Sequence, residues 1–356
     1  MIVMMSPDRK ILKLSAVAGC IVCAAALCVF FIGRYIADNR KPCFTEDYVL
    51  YVYPDTDPGT VLDSLVSGAG ALRRGSLERC ARKEGLGTGM KPGRYVIEPS
   101  FTAIYTIRMI TRGWQTPQNL TISGTIRSKG RLARKISMQM MVDSSQVAEA
   151  LEDTAFLAGY GFTPENVFAM ILPDTYQMYW TASVKDIFDR LKKEYDVFWT
   201  EERKSAAAAQ GLSPYEVSVL ASIVSGETLK AFEYPKIAGV YLNRLRKGIR
   251  LQADPTIAFC YGYTLDRILK KHLKVESPYN TYKYRGLPPA PINVPPKACI
   301  DAVLHPDEHG YIYFCASPEF DGTHRFAVTY KEHLRNARAF QRALTVRQRE
   351  KAASAG

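Results

Sequence analysis

One stretch, residues 213–228, decides the fold of the larger part of the chain: Ser-Pro-Tyr-Glu-Val-Ser-Val-Leu-Ala-Ser-Ile-Val-Ser-Gly-Glu-Thr. Ser213 is a favourable N-cap, Pro214 suits the first helical position, and Glu216 completes a capping box. The stretch therefore predicts a helix that begins at Pro214 and runs towards Glu227.

The apolar face of this predicted helix ends in an acid. The face consists of residues spaced three and four apart, Val217, Leu220, Ala221 and Val224. Glu227 follows on the same face, and Gly226 beside it permits close approach of a ligand or another backbone. Burial disfavours a charged carboxylate, so we expect a raised pKa and a proton available near neutral pH. A structural, hydrogen-bonded Glu at a helix end is the alternative, and the spacing does not separate the two.

A second polar group lies downstream, where Gln252, Asp254 and Thr256 alternate with other residues. An extended segment would point all three side chains the same way, which suits recognition of sugar hydroxyl and amide groups. The alternative is a loop in which Asp254 caps a helix that starts at Pro255.

Aromatic and proline-rich segments follow, at 279–282 (Tyr-Asn-Thr-Tyr) and 286–292 (Gly-Leu-Pro-Pro-Ala-Pro-Ile). Proline-fixed backbone holds a groove wall at low entropic cost. The tyrosines can stack on pyranose rings or belong to the core.

The composition describes a globular chain with a basic surface. Its 356 residues are 47% hydrophobic and predict more than one domain with a real core. The net charge of +12 fits nucleic acid, an anionic membrane surface or an acidic polymer. Patterns typical of nucleic-acid-binding modules are missing from the sequence, so we do not expect a nucleic-acid partner. The basic run in 128–141 is interpreted as a solvated helix face.

The N-terminus carries an apolar segment, Leu14–Gly33, of 20 residues without a charge. This length predicts a transmembrane helix, preceded by a cytoplasmic tail at 1–13. Basic residues flank both ends, but a short basic start before an apolar run resembles a signal anchor, with the bulk of the chain outside the cytoplasm. A cleaved signal peptide and lipoprotein processing before Cys20, where Val17–Cys20 resembles a lipobox, are the alternatives.

The eight cysteines give no metal-type spacing. Three fall in the apolar segment, and the five others are Cys43, Cys80, Cys260, Cys299 and Cys315. We interpret these five as buried free thiols, although a disulfide stays open.

The pattern of elements predicts a small unit at 46–112, with strands at 48–53 and 94–97 and helices at 61–69, 72–83 and 102–111. A larger mixed domain follows at 113–345, and a small-residue tail at 346–356.

An ordered series of motifs resembles the MltG-type (YceG-like) endolytic murein transglycosylases. The series comprises residues 221–228, 241–245, 251–256, 279–282, 286–292 and His305-Pro306, with 172–176 and 91–95 upstream. The resemblance covers about residues 46–340. It implies an α+β fold with an N-terminal transmembrane helix, a small LysM-like α/β subdomain and a larger mixed catalytic domain.

The resemblance also implies an activity and a location. The protein would be a single-pass inner-membrane protein with its catalytic domain in the periplasm. It would cleave peptidoglycan glycan strands between N-acetylmuramic acid and N-acetylglucosamine, as a terminator of glycan polymerisation, with peptidoglycan synthases as partners and without cofactor or metal.

The catalytic Glu of the family corresponds to Glu227, and Ser225 stands where many members carry another acid. The acid would protonate the glycosidic oxygen and then, as a base, let the C6 hydroxyl close a 1,6-anhydro ring. The expected substrate-positioning residues are Asn243, Arg244, Gln252, Asp254, Thr256, Asn280 and Tyr282. Arg244 could equally hold Asp254 or Glu227 in place.

Two other functions remain open from the sequence. A non-catalytic peptidoglycan-binding scaffold would need the groove but no acid. A true muramidase would need a second carboxylate, for which Asp254 is the candidate.

Overall fold

The computed structural model describes residues 9–354, which form two compact units. The N-terminal unit contains the chain up to Gln118 together with Gln177–Thr181, and the C-terminal unit contains Asn119–Tyr176 and the chain from Ala182 onward. Residues 1–8 of the predicted cytoplasmic tail lie outside the described residues.

The N-terminal unit combines helices with one antiparallel pair of strands. In chain order its elements are α1 (Arg9–Asn39), β1 (Tyr48–Val52), α2 (Pro58–Ser67), α3 (Arg74–Lys83), α4 (Leu86–Gly89), β2 (Gly93–Ile97) and α5 (Ala103–Arg112). Tyr48 pairs with Ile97 and Val52 with Gly93. The predicted strands and helices of this unit are confirmed, with shifts of a few residues at their ends.

The first helix is long and apolar enough to cross a membrane over Ala16–Asn39, where the mean hydropathy is 2.6. The rest of the described chain buries none of that window. The helix therefore continues beyond the predicted apolar segment, which ends at Gly33. Near the helix end, a carboxylate oxygen of Asp38 lies 2.5 Å from a guanidinium nitrogen of Arg79 on α3, which ties α1 to this unit.

All eight cysteines are among the described residues, and all are free. Cys43 and Cys80 are buried in the core of the N-terminal unit, and Cys299 is buried in the C-terminal unit. Cys260 and Cys315 are half-buried. The prediction of free thiols is confirmed, and that of full burial holds for three of the five outside the apolar segment.

The chain from Gln118 onward is mainly helical, with two small sheets. Its elements are β3 (Gln118–Ile122), α6 (Lys129–Ser137), α7 (Ser144–Glu152), α8 (Thr154–Ala158), β4 (Asp174–Met178), α9 (Val184–Phe198), α10 (Glu201–Ala209), α11 (Pro214–Glu227), α12 (Tyr234–Arg246), α13 (Asp254–Cys260), α14 (Lys297–Leu304), β5 (Tyr313–Ala316), β6 (His324–Ala327) and α15 (Tyr330–Ser354). Short 3₁₀ turns lie at Val167–Ala169, Ala231–Glu233 and His272–Lys274. β3 pairs with β4, and β5 with β6 in antiparallel register.

The last helix departs from the expected tail. α15 continues through Ser354, so most of 346–356 is helical. Arginine, alanine, glutamine and lysine dominate this segment and all have high helix propensity. The mixture of helices and strands predicted for the chain is confirmed.

The central helix of the C-terminal unit is α11. Every residue from Val217 to Val224 is buried, because α12, α13 and α14 pack around it. The predicted single apolar face is therefore too narrow, and the helix is enclosed on all sides. Its buried serines are satisfied locally, since Ser218 Oγ donates to the Pro214 carbonyl at 3.2 Å and Ser222 Oγ to the Val219 carbonyl at 2.7 Å.

The start of α11 is the predicted capping box. Ser213 Oγ accepts from the Glu216 N–H at 3.3 Å, and the Ser213 N–H donates to Glu216 Oε2 at 2.8 Å. Pro214 occupies the first turn. This box sets where the helix begins and therefore where Glu227 lies at its other end.

Replacing the cap should weaken this unit. We expect Ser213→Ala to lower the free energy of unfolding by about 1 kcal/mol, because the N–H of Glu216 loses its side-chain acceptor. Urea denaturation of the full-length chain in detergent measures the change. Ser205→Ala, at an exposed site within α10, is the matched control and should not destabilise. Equal midpoints for Ser213→Ala and the parent would contradict the assigned cap.

Candidate active site

Glu227 is the last residue of α11, and the backbone turns to an extended conformation at Thr228. The half-buried side chain lines a cleft of about 360 Å³. The cleft is formed by Thr125, Arg127, Ser225, Gly226, Glu227, Asp254, Pro255, Ala258, Tyr263, Leu265, Ile268 and Asn293. The predicted acid thus lies where a ligand can reach it.

The carboxyl group of Glu227 has one close protein partner. The hydroxyl of Tyr241, from the buried face of α12, donates a hydrogen bond to Glu227 Oε1. Desolvation raises the pKa of Glu227 to about 7, the Tyr241 hydrogen bond lowers it, and the negative charge of Asp254 raises it. The predicted direction of the pKa shift is confirmed. Near neutral pH this group can both give and take a proton.

Asp254 lies on the same cleft but in a different environment. It is the first residue of α13, its side chain is exposed, and it accepts a hydrogen bond from Tyr282 Oη at 2.6 Å. Burial and this hydrogen bond to Asp254 raise the pKa of Tyr282. Tyr282 therefore stays a neutral donor that holds the carboxylate of Asp254.

The row of side chains expected at Gln252, Asp254 and Thr256 does not form. Gln252 is exposed with a φ of 52°, whereas Thr256 is fully buried. Thr256 Oγ1 lies 2.7 Å from the Ala253 carbonyl oxygen and 2.9 Å from Thr281 Oγ1. The interpretation as an extended segment is wrong, because α13 begins at Asp254 and Pro255 favours the helical conformation of its first turn.

Asn243 and Arg244 bind backbone. The amide nitrogen of Asn243 donates to the carbonyl of His309 at 2.7 Å and to that of Tyr311 at 3.0 Å. Arg244 donates to the carbonyls of Ile312 at 2.6 Å and Leu251 at 2.7 Å. Both side chains fasten neighbouring loops to α12.

Arg244 still affects the acid from a distance. Its positive charge lowers the pKa of Glu227, against the larger effect of burial. Desolvation lowers the pKa of Arg244 itself.

Asn280, like Asn243 and Arg244, binds backbone groups. Its side chain is fully buried, donates to the carbonyls of Leu273 at 3.0 Å and Val275 at 2.8 Å, and accepts from the Tyr282 N–H at 3.0 Å. Asn280 therefore shapes the loop that presents Tyr282. The structure brings Glu227 and Asp254 to the cleft and sets Tyr282 beside Asp254.

The sequence reasoning missed several residues of the cleft. The side chain of Asn293 is buried, donates to the Ser222 carbonyl at 2.8 Å, and accepts from Ser225 Oγ at 3.1 Å. It follows directly after the proline-rich motif at 286–292, so extending that motif by one residue would have included it. Thr125 and Arg127 lie about a hundred residues upstream of Glu227 and outside every motif, so no local signal marks them.

Tyr263 and Arg127 form one wall of the cleft. The guanidinium carbon of Arg127 lies 4.6 Å from the centroid of the Tyr263 ring, and Tyr263 Oη donates to the Ile292 carbonyl at 2.7 Å. An aromatic face covered by a cation is a rigid wall.

Gly226 is the point of closest packing beside the acid. A Cβ added there would lie 2.6 Å from Pro255 Cβ. The close approach expected at this glycine is therefore made by a proline ring of α13, which allows Glu227 and Asp254 to share one cleft.

The described residues, 9–354, offer no cluster of metal-ligating side chains. No group of three or more histidine, cysteine, aspartate or glutamate side chains in that range could hold a metal ion. The chemistry available from the described side chains of the cleft is proton transfer by Glu227, supported by Tyr241.

Comparison with known proteins gives a consistent family. The YceG-like family profile matches residues 50–339. The endolytic murein transglycosylase of Bacillus subtilis (strain 168) is 35% identical over 192 residues, which cover 54% of this chain and 48% of that protein. The endolytic murein transglycosylase of Streptococcus pneumoniae (serotype 2) is 23% identical over 340 residues, 86% of this chain and 61% of that protein.

A solved structure agrees with the family match. The crystal structure of a YceG-like protein from Listeria monocytogenes superposes with a TM-score of 0.54 at 25% identity, over 82% of this chain and 98% of that one. The chain spans about half the length of the B. subtilis relative and 61% of the pneumococcal one. The family resemblance drawn from the motifs is confirmed.

Two substitutions should move the pKa of Glu227 in opposite directions. Tyr241→Phe removes a hydrogen bond that stabilises the ionised carboxylate, so the pKa should rise above about 7. Asp254→Asn removes a nearby negative charge, so the pKa should fall. Carbon-13 NMR titration of the Glu227 carboxyl measures both. Shifts of the same sign, or none, would contradict the assigned contacts.

A methyl group at Gly226 should separate α11 from α13. We expect Gly226→Ala to destabilise the chain by about 1–3 kcal/mol, because the added Cβ overlaps Pro255. Gly87→Ala is the matched control, since open space surrounds that glycine. Urea midpoints of the two variants and the parent decide, and a Gly226→Ala chain as stable as the control would refute the packing argument.

Proposed function

The chain belongs to the YceG-like family, and from that premise we propose that it is a membrane-anchored endolytic lytic transglycosylase, a carbon–oxygen lyase that acts on peptidoglycan. The observation that carries the proposal is the carboxyl group of Glu227, which lines the cleft, accepts a hydrogen bond from Tyr241 and has a pKa raised to about 7. The names of the B. subtilis and S. pneumoniae relatives support the same activity.

The bond cut would be the β-1,4 linkage between N-acetylmuramic acid and N-acetylglucosamine of nascent glycan strands. Protonated Glu227 gives its proton to the glycosidic oxygen, and an oxocarbenium-like centre develops at the anomeric carbon of the muramic acid. The ionised Glu227 then accepts the proton of the C6 hydroxyl, which attacks the anomeric carbon and closes a 1,6-anhydro ring. A pKa near 7 suits both transfers, because the protonated and the ionised forms of Glu227 are both populated at neutral pH.

Tyr241 would contribute to both steps. Its hydroxyl keeps one carboxylate oxygen in place and stabilises the charge that appears after the first proton transfer. Its own pKa is raised well above the usual value by burial, so it stays a donor throughout.

The substrate-positioning residues fall into two groups in this proposal. Asp254, which lines the cleft, its hydrogen-bond partner Tyr282 and the exposed Gln252 would contact sugar hydroxyl and amide groups. Asn243, Arg244, Thr256 and Asn280 would act by holding the loops that carry those contacts.

The first helix supports a proposal for the location of the chain. We propose that α1 anchors the chain in the inner membrane with the catalytic unit in the periplasm, where glycan strands are made. Peptidoglycan synthases would then be the partners whose products it terminates. The order β1, α2, α3, α4, β2, with antiparallel strands, supports a LysM-like unit at 46–112.

Mass spectrometry of digested peptidoglycan tests the activity. The full-length chain in detergent should release fragments with 1,6-anhydro ends, and Glu227→Gln should release none, because the amide cannot donate the proton. The rate should fall as pH rises through about 7, where Glu227 loses its proton. Glu149→Gln, the same change at an exposed site on α7, is the matched control and should keep full activity.

Other products would mean other functions. Reducing-ended fragments would indicate hydrolysis and a role for Asp254 as the second carboxylate. Binding of glycan strands without cleavage by any of these chains would favour a non-catalytic scaffold.

A further inference from the structure

A basic groove lies next to the catalytic cleft and has no part in the mechanism above. It has a volume of about 730 Å³ and is lined by residues 123–126 and by one face of α6. Its charged lining residues are Arg131, Arg134 and Lys135, and none of its lining residues is acidic. The groove therefore offers a concentrated positive charge.

The local sequence of α6 produces this arrangement. Ser128 Oγ accepts from the Arg131 N–H at 3.2 Å and caps the helix, and the opposite face is buried through Leu132 and Ile136. Positions 131, 134 and 135 are three and four apart, so the three cations share the outer face. Like charges at this spacing repel each other. The clustering of three cations on this face does not stabilise the helix, so stability does not explain it.

The charges are also not compensated within the chain. Lys129, on the same helix, pairs with Glu152 at 2.7 Å. Across residues 9–354, no carboxylate lies within ion-pair distance of Arg131, Arg134 or Lys135. Gly130 and Gly124 leave open space where side chains would otherwise stand. The cations are therefore accessible to an anionic ligand.

The groove and the cleft share a wall. Thr125 lines both, and Arg127, two residues on, lines the cleft with its guanidinium over Tyr263. Ile126, between them, lines the groove, and its carbonyl accepts from the Val294 N–H at 2.9 Å, beside the cleft residue Asn293. A polymer bound across Glu227 would extend over this wall into the groove.

We propose that the basic groove binds the carboxylates of the peptide stems carried by the muramic acid residues of the bound strand. The proposal rests on the proposed function, and it adds a second element of substrate recognition to it. The glycan backbone itself carries no charge, so cations beside the cleft have nothing to recognise on the sugars. The stems supply carboxylates at regular intervals, and guanidinium groups bind carboxylates with charge-assisted hydrogen bonds.

Binding in the Glu227→Gln background tests the proposal without turnover. The full-length chain in detergent is titrated with soluble glycan strands that bear stems, with strands whose stems an amidase has removed and whose freed lactyl carboxylates are then amidated, and with strands whose stem carboxylates are amidated. We expect stem-bearing strands to bind roughly tenfold more tightly than the other two, since three surface ion pairs together supply an effect of that order. The preference should shrink as salt rises.

The groove variant is Arg131→Gln/Arg134→Gln/Lys135→Gln. It should lose the preference for stem-bearing strands and keep the affinity for stem-free ones. The matched control, Arg338→Gln/Arg342→Gln/Arg349→Gln, removes the same charge from exposed positions of α15 and should keep the preference. Urea midpoints confirm that both variants fold.

Several results would overturn the proposal. They are a parent with no preference, a groove variant that retains it, equal losses for both strand types, and a preference that survives amidation of the carboxylates. The failure of the proposed function is a separate observation: a chain that prefers stem-bearing strands yet releases no anhydro ends would retain the subsite and lose the lyase.

Discussion

The hydrogen bond from Tyr241 to Glu227 is the contact on which the rest of the C-terminal unit depends. A carboxyl group at the end of an enclosed helix loses hydration, and it must either be neutral or receive a donor when it ionises. Tyr241 supplies that donor from the next helix, and its ring is fixed edge-on against Phe314 at a centroid distance of 5.9 Å. The packing of α11 against α12 therefore also determines the electrostatic environment of Glu227.

The same helix holds the surrounding loops. Asn243 and Arg244 extend from α12 and bind the carbonyls of His309, Tyr311, Ile312 and Leu251. Leu251 precedes the turn that leads into α13, where Asp254 reaches the cleft. Through these hydrogen bonds to backbone carbonyls, α12 therefore sets the distance between Glu227 and Asp254. This explains why the polar side chains of Asn243 and Arg244 are turned inward. Their hydrogen bonds hold these loops in place.

Prediction from sequence succeeded where the signal was local. The capping box at Ser213 and the position of Glu227 follow from side-chain types at fixed helical spacing, and the structure has both. The row at Gln252 failed because alternation in six residues fits a turn into a helix as well as a strand, and Pro255 decides for the helix. Arg127 and Thr125 could not be found at all, since only tertiary folding brings them to α11.

The net charge is a second example of a property that the sequence alone cannot interpret. A value of +12 is compatible with several partners, and the run at 128–141 is compatible with an ordinary solvated helix. Position resolves what composition leaves open: Arg131, Arg134 and Lys135 face one groove, lack acidic partners in the described chain, and share the Thr125 wall with the cleft. An ordinary solvated helix face can have acidic residues beside the basic ones. None of the residues that line this groove is acidic. In the proposed function, their placement would direct this positive charge at the carboxylates of the peptide stems on a bound glycan strand.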